Sequence, residues 1–120
     1  MNEPSVSLPF TVPDLFAGFA EGNGLANASP SELTLEFMIK DNILQVLKSD
    51  VREIRIPQSE IAAIQFKQGW FSTKVLIRLK SMKWLEGLPM QNQAELSLHV
   101  KRRDRQQASD LVRILGFRVA

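Results

Sequence analysis

AELSLHVKRRDRQQASDLVRILG, residues 94–116, changes its hydrophobic period halfway along, and that change decides the fold. Leu96, Leu98 and Val100 alternate with Glu95, Ser97 and His99, the period-two pattern of a half-buried antiparallel strand. Ala108, Leu111, Val112 and Leu115 then follow the i, i+3, i+4, i+7 spacing of a helix with one apolar stripe. Asp104 is placed to cap that helix, with Gln107 three residues on to complete a capping box. Gly116 suits the left-handed position past its last turn. A helix over about 105–115 is predicted, and its stripe needs an apolar surface, for which a β-sheet is expected.

The preceding residues supply strands for that sheet. Leu33, Leu35, Phe37 and Ile39 alternate cleanly with polar neighbours. Residues 51–56 do so up to Pro57, which closes the strand and leaves Ile54 and Ile56 facing inward. A turn at 59–61 leads into Ile61, Ile64 and Phe66. A hairpin tip of Gln68, Gly69, Trp70 and Phe71 follows, and Val75, Ile77 and Leu79 form one face of the next strand. Residues 6–12 also alternate, and the prolines at 9 and 13 favour an edge position. Residues 20–31 are rich in Gly, Asn, Ala and Ser and read as a loop with a short strand near Leu25, Gly22-Asn23-Gly24 being a turn. Ile43 to Lys48 fits a strand or a helical turn equally, and residues 82–89 read as a loop with a helical turn at most. Short strands followed by one terminal helix point to a small antiparallel barrel or sandwich plugged at one end.

With 120 residues the chain fits one domain, able to bury roughly two-thirds of its unfolded surface. There are no cysteines, which excludes disulfides, thiolate metal sites and a cysteine nucleophile, and makes the cytoplasm the expected compartment. Residues 1–10 lack the basic start and apolar run of a signal peptide, and no segment has the apolar length of a spanning helix. The net charge of +2 is too small to name a partner, but five acids precede the first base, Lys40, so the chain is acidic in front and basic behind.

IPQSEIAAIQFKQGWFSTKVLIR (56–78) and LSLHVKRRDRQQASDLVRIL (96–115) resemble bacterial pleckstrin-homology-like (PH-like) domains of uncharacterised type. The resemblance covers most of 33–115. It implies a mainly β fold with one C-terminal helix, a barrel of two nearly orthogonal antiparallel sheets capped by that helix. Eukaryotic members that bind phosphoinositides carry Lys and Arg in the loop between their first two strands. The corresponding loop here holds either Asp14 and Glu21 or Asp41 and Asn42, and no base.

No reaction is specified by the residues. His99 is the only histidine and has no evident partner set for base catalysis or metal binding, so it reads as a surface or edge-strand residue. There is no G-x-S-x-G elbow and no phosphate loop. No catalytic, cofactor or metal residue is therefore assigned. Lys101, Arg102, Arg103 and Arg105 crowd the strand-to-helix junction and are candidate anion contacts, or else a solvated turn that keeps the sheet edge from pairing. They lack the interleaved aromatics of a nucleic-acid site. Trp70 and Phe71 cannot easily enter one core from adjacent positions on a strand, which makes them candidate interaction residues; alternatively both pack beneath 82–89 beside Trp84. The expectation is a non-catalytic binding or scaffold module that engages a protein partner or a second copy. Peripheral contact with anionic lipid through 101–105 is the alternative. A small-molecule barrel or enzyme using Arg78 or His99 ranks below both, because the candidate core is aliphatic and aromatic.

Overall fold

The computed structural model describes residues 4–15, 20–41, 52–70, 73–85 and 95–118. Strands β1 (Val6–Leu15), β2 (Ala20–Ala28), β3 (Glu32–Asp41), β4 (Arg52–Pro57), β5 (Ile61–Gln68), β6 (Thr73–Leu79) and β7 (Glu95–Val100) precede helix α1 (Arg105–Ile114). All seven strands belong to one antiparallel sheet of order β4-β3-β2-β1-β7-β6-β5. The chain is mainly β with a C-terminal helix, as the change of period at residue 101 implies, and β4 and β5 are the two edges of the sheet.

Alternation sorts the strands as read. Val75, Ile77 and Leu79 of β6 and Leu96, Leu98 and Val100 of β7 are buried, as are Leu33 and Leu35 of β3 and Ile56 of β4. Ile54 is half-buried against the same core, and Pro57 ends β4. The β5–β6 hairpin closes at Gln68 opposite Thr73, so its tip lies at 69–72. A 3-10 turn, Met82–Leu85, occupies the start of the 82–89 segment. Residues 43–48 and 86–89 lie outside the described residues.

Two strand assignments are corrected. Residues 20–28 form a full strand, with Gly22, Asn23 and Gly24 in mid-strand and not in a turn. Gly22 stands opposite Val12 and Ile39, and Gly24 opposite Phe10 and Phe37, so the glycines lie between large cross-strand residues on both sides. Ala26 and Ala28 are fully buried under the helix layer, where larger side chains would crowd it. β1 is likewise interior and not an edge. Its pairing with β2 is long, whereas that with β7 is the single pair Thr11 and His99. Pro9 and Pro13 stand two residues to either side of that bridge with no N–H to donate. The ladder is therefore interrupted within the sheet, at the β1–β7 seam.

Helix α1 lays Ala108, Leu111, Val112 and Leu115 on the inner sheet face, against β1, β2 and β5. It ends in a Schellman motif: Gly116 takes φ 87°, its N–H donates to Arg113 O at 2.9 Å, and Phe117 N–H donates to Val112 O at 3.1 Å. Gln58, between β4 and β5, donates its side-chain amide to Leu115 O at 2.9 Å and its backbone N–H to Ser31 O at 2.9 Å. The helix C-terminus is thereby fastened to the end of the sheet remote from the β5–β6 tip, and its N-terminus lies at the tip. Asp104 precedes the helix but makes no capping hydrogen bond, because a 3-10 turn, Arg102–Asp104, intervenes. Its own N–H already donates to Lys101 O at 2.9 Å, which leaves a Gln107 side chain nothing to complete.

Candidate interaction surface

The tip of the β5–β6 hairpin and the β7–α1 turn, remote in sequence, meet at one end of the molecule. Arg105 joins them. Its Nε donates to Thr73 Oγ1 at 3.1 Å and its Nη2 to Gly69 O at 2.8 Å, so one guanidinium spans the first residue of β6 and the tip. Thr73 is fully buried, and that hydroxyl needs a partner. Of the four bases expected at the junction, Arg105 is thus committed to bracing, while Lys101, Arg102 and Arg103 are exposed. Arg103 Nε lies 3.9 Å from the Asp104 carboxylate, too far for a strong bond.

Trp70 sits on this brace at 85% exposure, far more than the other exposed large apolar residues among those described, Leu25 and Met82. It does not pack beside Trp84, which is half-buried and donates Nε1–H to Glu60 Oε1 at 3.1 Å, with Lys83 Nζ 5.0 Å from its ring. Phe71 lies outside the described residues. Gln68, Gly69, Trp70, Arg102 and Arg105 line one shallow depression of about 440 Å³. An exposed tryptophan and two of the expected bases therefore share a surface.

Two further cations that the sequence reading left unassigned lie at the same end of the sheet, on its outer face. Lys67 and Lys74 are exposed and directly opposite one another across β5 and β6. Once the tip is placed between Gln68 and Thr73, the two lysines are symmetric about it, and that counting was the available signal. Like charges facing across a ladder destabilise it slightly, so this pair is a local cost. The N-terminal end of α1 adds its partial positive charge to the same end of the molecule.

Arg78 and His99 lie elsewhere. Arg78 is exposed on the outer face, 3.6 Å from Glu95. His99 is half-buried on interior strand β7, not on an edge, and lines a second cavity of about 460 Å³ at the β1–β7 seam with Thr11, Lys101 and Asp104. The described core is aliphatic and aromatic, its buried polar residues being Thr73 and Ser109. Among the described residues no three His, Cys, Asp or Glu side chains gather as a metal site would require, and no helix is long and apolar enough to cross a membrane. The chain matches no protein-family model, no curated protein and no solved structure.

Proposed function

We propose that this chain is a non-catalytic PH-like module of the bacterial cytoplasm that binds protein through the Trp70 tip. The observation that carries the proposal is Trp70 itself, 85% exposed on a tip that Arg105 holds in place, with Arg102 beside it. Tryptophan and arginine dominate binding energy at protein interfaces, and a braced tip loses little freedom on docking. The PH-like part is supported by the strand order. A four-strand meander, β1 to β4, and a three-strand meander, β5 to β7, meet at a seam of one residue pair and share a C-terminal helix. The test is comparative capture from native cell extract by the wild-type chain and by Trp70→Ser. Proteins retained by the wild type alone support the reading, and identical retention refutes it.

A second reading, contact with anionic lipid, draws on the exposure of Lys101, Arg102 and Arg103 in one turn, with Arg102 beside Trp70. Basic residues at an anionic surface contribute about 1 kcal/mol each, screened by salt. Sedimentation with phosphatidylserine vesicles that survives reversal of all four charges at 101, 102, 103 and 105 removes it.

A further inference from the structure

The molecule carries a second paired row of like charge, and its sign is opposite to that of the tip. Glu36 and Glu53 face each other across β3 and β4, both exposed on the outer sheet surface. Leu25 stands opposite Glu36 on the neighbouring strand β2, 41% exposed, and the exposed Pro9 stands opposite Leu25 on β1. Read across four strands, the row runs Pro9, Leu25, Glu36, Glu53: an apolar half beside an acidic half. Arg55 donates to Glu53 at 2.8 Å from the adjoining row, and this bond raises its guanidinium pKa from the ordinary value; Glu36 adds a second acid to the row.

The tip also combines paired charge with an exposed apolar residue, and its charge is inverted. Lys67 faces Lys74, and Trp70 projects beyond them. With strands spaced about 4.8 Å apart, the centre of the glutamate pair lies roughly 10 Å from the centre of the Pro9 and Leu25 pair. Trp70 follows Gln68, the last residue of β5, by two residues, on the tip just past the lysine pair. The two surfaces are opposite in sign, and each sets exposed apolar area near a pair of like charges.

We propose that the tip of one copy docks on the β1–β4 outer face of a second copy of this chain. Trp70 covers Leu25 and Pro9, while Lys67 and Lys74 meet Glu36 and Glu53. The inference rests on the reading of the Trp70 tip as a protein-binding site and names its partner. Because the two surfaces differ, the contact is heterologous: each copy keeps a free tip and a free acidic face, and association continues into a ring or a filament. The Lys67 and Lys74 pair, unfavourable within a lone copy, becomes favourable when it faces Glu36 and Glu53.

Charge-swapped variants test this by light scattering during size-exclusion chromatography. One variant carries Lys67→Glu and Lys74→Glu, the other Glu36→Lys and Glu53→Lys; all four positions are exposed, and thermal melts confirm that both variants are folded. The wild type is expected to gain mass with concentration at about 20 mM salt and to lose it at about 0.5 M, where the screening length is a few ångströms. Each variant alone is expected to associate at least about tenfold more weakly, a difference of about 1.4 kcal/mol. An equimolar mixture of the two is expected to recover association, because each supplies the surface the other lacks. A wild type that is monomeric at every concentration overturns the self-contact while leaving the tip free for another protein. Association lost in Trp70→Ser but kept in Glu36→Lys/Glu53→Lys overturns the acidic face alone. Association that survives Trp70→Ser overturns both this inference and the reading beneath it.

Discussion

Replacing Arg105 by alanine tests whether the tip is braced as described. The guanidinium makes two hydrogen bonds, 3.1 Å to the Thr73 hydroxyl and 2.8 Å to the Gly69 carbonyl, and the two losses differ in kind. The Gly69 carbonyl is at the surface and takes water in place of the lost donor, at a cost of about 0.5 kcal/mol. The Thr73 hydroxyl is fully buried and is left without this donor, at about 1–3 kcal/mol. Together Arg105→Ala should cost about 2 kcal/mol. For a chain of 120 residues that is a fall in Tm of roughly 8 °C. A double-mutant cycle with Thr73→Val isolates the buried bond: valine keeps the volume and removes the orphaned hydroxyl, so the cost of Arg105→Ala should shrink by about 1 kcal/mol in that background. Urea unfolding followed by circular dichroism reads both quantities. A cost below about 0.5 kcal/mol, or one unchanged by Thr73→Val, would refute the brace and return Arg105 to the exposed cations.

Arg102→Ala and Arg103→Ala, exposed and weakly paired, should each change stability by less than about 0.5 kcal/mol in the same assay. Leu111→Ala, fully buried on the sheet-facing side of α1, should cost about 3 kcal/mol by urea denaturation. Gly116→Ala, forced to φ 87°, should lose about 1 kcal/mol, and Gln58→Ala a similar amount by freeing the Leu115 carbonyl, both visible as earlier fraying of α1 in amide exchange.

The readable parts of this chain are those where one residue pattern had one structural solution. Alternation at 33–39, 51–56, 75–79 and 95–100 could satisfy only a sheet with one apolar face, and Gly116 could satisfy only a helix stop. β2 was not readable because a strand between two neighbours is specified here by smallness, and Gly22, Gly24, Ala26 and Ala28 show no hydrophobic alternation by themselves. The interior place of β1 depends on the β1–β7 seam, a long-range pairing of one residue with one residue that no local pattern records. Asp104 had the residue type of a cap, but the short turn at 102–104 satisfied its backbone first. For the candidate site, Trp70 and the basic turn were each visible, while their meeting was not. It depends on Arg105 reaching 36 residues back along the chain to Gly69, and on cross-strand register to bring Lys67 and Lys74 together.

The fluorescence of Trp70 during association reports on the tip itself. The chain has two tryptophans and no tyrosine, so Trp84→Phe leaves Trp70 as the only long-wavelength fluorophore. At low salt, raising the protein concentration should move its emission to the blue and reduce quenching by acrylamide, and added salt should reverse both. Emission that stays red and fully quenchable while light scattering records association would contradict the account, because the chain would then be associating through a surface other than its tip.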